Sequence, residues 1–365
     1  MIPRISTVVM THPDRIESAQ RLVDAHPDMS IRIVLDPRPD GPPAAVRTAR
    51  RAWSAMPGDA SHHLVLQDDV RGTAHLGQHV TGAVAAMPDS PLCFFTEWGS
   101  KTAQAVRMAA LCGNAWAEIV DHLHTSQAVL LPAALVRQLQ AHMATPGVAD
   151  DDAVADADLL FGFLRERGTT PLVSVPNLVE HIELPSLLGN DILRGPRHSP
   201  CFDPSLPTHD WDSGVWRPAA VLPQFSTRDA RSYCHLRETG GGWTSPQTVD
   251  WLRERGLALP ELVERFRSRL GALPAAARIR AVIAETMLFE LWVTAYAAGV
   301  VLREHHGLDP DTAGGRLRAP VADRAWASLV PGALRKILPL PVSHWLAEEL
   351  RALVRDAVSA GGSTR

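Results

Sequence analysis

Through the first half of the chain, short apolar runs alternate with segments whose apolar residues fall on one helical face. Residues 5–10 (ISTVVM) read as a strand, and residues 15–25 carry Ile16, Ala19, Leu22 and Val23 at helical spacing. The same rhythm predicts strands over 31–35, 63–66, 92–95, 128–131 and 172–175. Helices are predicted over 44–56, 77–87, 133–143 and 152–167. Pro132 suits the first turn of the third of these predicted helices, where its missing N–H costs nothing. Strand–helix alternation implies a mostly parallel sheet with helices on both faces, whose ligands lie beyond the carboxyl ends of the strands.

The rhythm then changes. Residues 201–245 are rich in Pro, Trp, His and Asp, end in Gly240-Gly241-Gly242, and read as an irregular cover and linker. Beyond them the spacing is helical, starting at Ser245-Pro246 and running through 261–270, 275–306, 322–330 and 342–359. The expected organisation is therefore an α/β domain over 1–200, the linker over 201–245 and an all-α domain over 246–365. Residues 281–302 are apolar nearly all round but contain Glu285 and Glu290, which suits a helix buried in a bundle or in a homodimer interface better than a membrane span.

With 365 residues, 45% of them hydrophobic and 21% charged, the composition is that of a globular chain. A net charge of -4 argues against a broad grip on nucleic acid or anionic lipid. The basic residues are 34 arginines and two lysines, so a single Arg says little about phosphate binding. Cys93, Cys112, Cys201 and Cys234 form no CxxC pair and read as free thiols. No signal-peptide pattern opens the chain, and a cytoplasmic location is expected. Neither a GxSxG elbow, an HExxH pair nor a GxGxxG loop is present.

Chemistry concentrates at the predicted strand ends. Leu64-Val65-Leu66-Gln67-Asp68-Asp69-Val70 delivers two adjacent carboxylates to the end of the third strand. They fit either a turn or N-cap, or a divalent cation that takes oxygen ligands. After the last strand, Pro176-Asn177-Leu178-Val179-Glu180-His181-Ile182 presents an imidazole to the same edge; alone it suits a structural role, and with Asp69 it suits Mn²⁺.

These two segments resemble the GT-A glycosyltransferases, which use nucleotide-sugar donors, and the resemblance covers residues 5–200. It implies a Rossmann-like GT-A domain followed by the additional helical one. In that family the last Asp of an acidic triplet holds Mn²⁺ or Mg²⁺ against the donor diphosphate, the place taken here by Asp69. Asp68 stands beside it, Gln67 takes the ribose-facing place, and His181 matches a late-loop ligand, with Ser186 following. The resemblance further implies a UDP- or GDP-type donor bordered by Thr11, His12, Arg15 and Asp36. Arg47 (or Arg50 or Arg51) would reach a phosphate, and Glu97 and Trp98 would line the sugar pocket; a solvated helix face serves equally for the arginines.

For a catalytic base the family register favours Asp156, with Asp158 and Asp152 as alternatives; Asp152 and Asp156 would share a helical face. Acidic residues also enrich a helix's first turn for purely electrostatic reasons. The expected function is metal-dependent sugar transfer to an acceptor the sequence does not name. A catalytically degenerate scaffold is the alternative, and a nucleotidyltransferase is a more distant one.

Overall fold

In the computed structural model, residues 3–363 are described, apart from Leu123, Asp150, Leu188, 190–193, 218–219 and Gly241. Asp150, the first residue of the acidic run, and Gly241 of the glycine triplet thus lie outside the described residues. The chain divides into two compact units: Met1–Thr96, Ala115–Arg194 and Phe202–Gly214 form one, and Glu97–Asn114, Gly195–Cys201 and Val215–Arg365 the other.

The first unit is built from β1 (Ile5–Thr11), α1 (Ile16–Ala25), β2 (Arg32–Leu35), α2 (Ala45–Ser54), β3 (His62–Gln67), β4 (Val70–Gly72), α3 (Leu76–Ala86) and β5 (Leu92–Cys93). After α4 (Lys101–Cys112), which belongs to the second unit, it continues with β6 (Trp116–Glu118), β7 (Ala128–Pro132), α5 (Ala133–Met143), α6 (Asp156–Glu166), β8 (Leu172–Ser174) and β9 (Val179–His181). Within this unit the main sheet runs β6-β8-β5-β7-β3-β1-β2. Strands β1, β2, β3, β5 and β8 share one direction, whereas β7 and β6 run against their neighbours. The mixed α/β architecture with a mostly parallel sheet is as the apolar rhythm predicts. Its central strands are apolar on both faces, as a sheet covered on both sides requires; Val8, Leu64, Leu66, Leu130 and Val173 are completely buried.

Register decides which side chains meet. Met10 pairs with Gln67 and Thr11 with Leu35 in parallel ladders, so β1, β2 and β3 end side by side. Because β7 is antiparallel to β3, with Leu66 opposite Ala128, it begins where β3 ends. The loop before β7 therefore reaches the ligand edge, a placement that a purely parallel arrangement would not give. A small antiparallel ribbon, β4–β9, sets Val70 opposite His181.

The predicted helix over 152–167 begins only at Asp156. The Asp151 carboxylate accepts from the Ala153 N–H at 2.9 Å and Ala155 is extended, so the chain turns before it coils. Asp152 thus lies outside the helix and does not share a helical face with Asp156.

The second unit holds α4, β10 (Val215–Trp216), β11 (Val221–Ser226), β12 (Arg231–Arg237), β13 (Trp243–Thr244), and the helices α7 (Thr248–Arg253), α8 (Leu259–Gly271), α9 (Ala276–Val282), α10 (Glu285–His306), α11 (Pro310–Arg316), α12 (Pro320–Ala327), α13 (Leu329–Leu334) and α14 (Leu340–Ser363). The stretch expected to be irregular contains an antiparallel sheet, β11-β12-β13, with Pro223 opposite Cys234. Its alternation is masked by a proline inside β11, which demotes a strand in any sequence reading. The single helix expected over 275–306 is two, broken where Ile283 and Ala284 are extended.

Helix α10 is long and apolar enough to cross a membrane by length and composition, and 72% of its most apolar window is buried within the chain. It packs on α14 and on β11 and β12, so its apolar girth is covered inside its own unit. The two helices approach at glycines: a Cβ on Gly299 would stand 2.0 Å from the Val358 carbonyl oxygen, and one on Gly361 2.0 Å from that of Tyr296. In the same unit, the Arg107 guanidinium is buried among the carbonyls of Trp98 (2.7 Å) and Ala325 (3.1 Å) and the Ser328 hydroxyl, and burial pushes its pKa down to about 9.

Candidate active site at the carboxyl edge of the sheet

Asp68 and Asp69 follow the apolar β3 directly and are both buried, 6% and 9% exposed. Two adjacent buried carboxylates demand compensation, and each receives a different kind. Asp68 is held by the protein: the Thr11 hydroxyl donates to Oδ2 at 2.5 Å, Arg15 Nη1 lies 3.3 Å from Oδ1, and the Ser18 hydroxyl donates to its carbonyl at 2.7 Å. Burial still pushes its pKa up, and the neighbouring Asp69 charge adds to that shift. Asp69 is held less fully. Its Oδ1 is buried without a hydrogen-bond partner among the described residues, and its Oδ2 faces His181 Nε2 at 3.3 Å and Arg15 Nη1 at 3.8 Å.

The β4–β9 ribbon explains why a residue 112 positions away arrives here. Val70 pairs with His181, and the Ile182 N–H donates to the Asp69 carbonyl at 2.8 Å, so the imidazole is delivered beside the carboxylate. On its other side, His181 Nδ1 is 3.3 Å from Glu183 Oε1. A carboxylate on Nδ1 favours the tautomer whose Nε2 lone pair points at Asp69, the orientation of a metal-ligating imidazole. Two lone pairs opposed at this distance attract only if a proton or a cation lies between them.

The donors fit a divalent cation in part. Asp69, in the turn between β3 and β4, and His181, at the end of β9, offer an oxygen and a nitrogen, and the unpartnered Oδ1 is the kind of buried atom that a cation satisfies. Among the described residues, no group of three His, Cys, Asp or Glu side chains converges on one metal position. Such a cation would take its remaining ligands from phosphate oxygens and water, as Mg²⁺ and Mn²⁺ do in phosphate sites.

Asp156, at the first position of α6, lies close to the same edge. Its Oδ2 accepts from the Ser126 hydroxyl at 2.6 Å and from Gln67 Nε2 at 3.0 Å. Burial raises its pKa; the Ser126 hydrogen bond opposes that rise and the nearby Asp69 charge adds to it. Gln67, expected to face a ribose, here links the aspartate pair to Asp156.

The two alternative bases are placed otherwise. Asp158 is exposed in the first turn of α6. Asp152 is the hub of an arginine cluster, paired with Arg38, with Arg50 Nη1 at 3.2 Å and with Arg47 Nη1 at 3.5 Å. A carboxylate shared by three guanidiniums has its lone pairs already engaged, which leaves little room for an incoming proton. This fits a tie between the 148–152 segment and α2 better than general-base chemistry.

Among the expected donor residues, Thr11, Arg15, Gln67 and Asp68 meet at this edge. Asp36 is closed off beneath Arg47, whose Nε and Nη2 lie 3.3 and 3.2 Å from its two oxygens, and it also caps the Arg38 N–H at 3.0 Å. Arg47 is engaged by this pair: the Asp36 hydrogen bond, opposed by burial, holds its pKa above the ordinary value. His12 caps the turn before α1 through Nδ1 and touches the Pro39 carbonyl through Nε2 at 3.2 Å.

Glu97 and Trp98, expected to line a sugar pocket, belong instead to the second unit. Glu97 pairs there with Arg335 at 2.6 Å. Trp98 is 4% exposed, donates Nε1 to the Pro196 carbonyl and meets the His198 and His344 rings edge-on, so no open indole face remains for a sugar.

Ser126, Glu183 and the Pro185 carbonyl, which accepts from Arg15 Nη2, are the neighbours that sequence reasoning missed. Ser126 could have been found only from the direction of β7, which its sequence does not encode. Glu183 and Pro185 were open to a rule that examines the residues just after a candidate ligand.

No protein-family model matches this chain, and no curated protein matches it.

Proposed function

We propose that the protein is a metal-dependent glycosyltransferase of GT-A type that moves a sugar from a UDP- or GDP-type donor. The observation that carries this reading is the pairing at the sheet edge: Asp69 has one buried oxygen without a donor among the described residues, and its other oxygen faces an imidazole whose far nitrogen is set by Glu183. That constellation lies where α/β sheets place ligands, beyond the ends of β1, β2 and β3.

Asp69 and His181 would hold Mn²⁺ or Mg²⁺. When bound, the cation would stabilise the charge gained by the leaving diphosphate. Asp156 would take the proton of the acceptor hydroxyl, steadied by Ser126 and Gln67. Its raised pKa makes it a better proton acceptor than an ordinary aspartate, while leaving it ionised once the pH exceeds that value. A catalytically silent protein of the same architecture is the second reading, favoured by the sealing of Asp36 under Arg47.

Calorimetric titration with UDP and GDP tests the proposal. Binding is expected to require Mn²⁺, to vanish with EDTA and to fall at least about 100-fold in Asp69→Ala, since losing a ligand costs no less than losing one of its supporting partners, which costs about 10–100-fold. Nucleotide binding indifferent to both would refute it. Metal-dependent binding without slow hydrolysis of any nucleotide sugar would favour the silent reading.

A further inference from the structure

The edge that would bind a metal already contains a cation. Arg15, just before α1, places Nη1 3.3 Å from Asp68 Oδ1 and 3.8 Å from Asp69 Oδ2, so one guanidinium spans both carboxylates. Its Nη2 donates to the carbonyl of Pro185, four residues after His181. Arg15 therefore links the two segments that supply the candidate metal ligands, and its side chain is only 15% exposed. The oxygen it approaches on Asp69 is the one that faces His181 Nε2 at 3.3 Å.

We propose that Arg15 is the site's built-in counter-cation: it neutralises Asp68 and Asp69 before a divalent metal binds, and the metal binds by displacing it from Asp69. This rests on the metal-site reading above and assigns Arg15 a role distinct from the donor contact expected of it. The physical argument is exclusion. An ion held by Asp69 and His181 would share Asp69 with the guanidinium, and two positive charges on one carboxylate repel strongly in a partly buried setting. The same two carboxylates are too costly to leave bare, so the chain needs a cation there in the metal-free state. Guanidinium suits that state because it is permanently charged and forks between two acceptors. Being tethered, it can withdraw without leaving the protein.

Isothermal titration with Mn²⁺ alone, on wild type, Arg15→Gln and Arg15→Lys, tests the proposal. Arg15→Gln is expected to bind Mn²⁺ about tenfold more tightly, because the competing charge is gone, and Arg15→Lys to return towards wild type. Equal or weaker Mn²⁺ binding by a folded Arg15→Gln would overturn the proposal. If Asp69→Ala abolishes Mn²⁺ binding while Arg15→Gln leaves it unchanged, the metal site stands and only the role of Arg15 falls. Failure of wild type and Arg15→Gln alike to bind Mn²⁺ would remove the metal site and this inference together. Should Arg15→Gln fail to fold, phenylglyoxal labelling of wild type with peptide mapping separates the same outcomes. Mn²⁺ is expected to raise modification of Arg15 several-fold, and unchanged or lowered modification would overturn the displacement.

Discussion

Asp156 has two hydrogen-bond donors on one oxygen and a carboxyl whose pKa is pushed up by burial. A folded-state pKa above the unfolded value means that the native state binds the proton more tightly. Its stabilising effect is therefore full below about pH 4, the ordinary aspartate range, and is lost as pH rises through the folded value. Asp156→Asn keeps an oxygen acceptor for Ser126 and Gln67 and removes the charge. The expected outcome is a melting temperature at or above wild type at pH 7, with the difference closing towards about pH 3. Sugar transfer is expected to fall about 1,000-fold, in the range that loss of general-base catalysis allows. Scanning calorimetry across pH and a transfer assay check the two halves; marked destabilisation at pH 7 would show the charge to be structurally required. Asp68 shows the same upward shift, and its hydrogen bond from Thr11 and its contact with Arg15 make it an anchor of the edge.

Elements do the positioning. The ribbon β4–β9 is only three residues a side, yet it converts a sequence separation of more than a hundred residues into a 3.3 Å contact. In the second unit, the pairing of α10 with α14 depends on what is missing from side chains. At Gly299 and Gly361 the helix backbones approach so closely that a methyl would overlap a carbonyl oxygen. Gly299→Ala is expected to destabilise the protein by about 1–3 kcal/mol through overpacking, despite the better helix propensity of alanine. Urea unfolding followed by tryptophan fluorescence checks this, since Trp292 lies on the same helix. Gly314→Ala, where the added Cβ would meet nothing closer than the Ser359 hydroxyl at 3.8 Å, serves as the control.

At the scale of the whole molecule, the units are not consecutive stretches of chain. Helix α4 lies between β5 and β6 in sequence but is packed into the second unit, where Arg107 is caged by carbonyls from Trp98, Ala325 and Ser328. A boundary drawn near residue 245 predicts that the chain up to that point folds and still binds nucleotide. The structure predicts otherwise: truncation after Ser245 strips Arg107 of its partners on α12 and at Ser328 and uncovers the side of α4 against which α12 packs. The truncated chain is expected to aggregate or to melt without a cooperative transition, as size exclusion and circular dichroism would report. A monodisperse, cooperatively melting fragment would show that the partners of Arg107 at Ala325 and Ser328 are dispensable to its folding.

Part of this arrangement is legible in the sequence. The apolar runs mark β1, β3, β7 and β8, because burying a strand on both faces demands continuous hydrophobicity, and the shorter run of β2 marks an edge strand that is only partly covered. Gln67-Asp68-Asp69 stands out because acidic residues directly after such a run fall at the ligand edge. His181 follows by the same rule. Only the tertiary structure shows that Asp156 lies against Gln67 and Ser126 while Asp152 is held by three arginines and Asp158 is exposed, since this turns on where the chain begins to coil. The reversed direction of β7, the transfer of α4, Glu97 and Trp98 to the second unit, and the span of Arg15 across two aspartates were likewise settled by packing. Strand direction and unit membership follow from contacts between residues far apart in the chain, and no local pattern of apolar and polar positions records them.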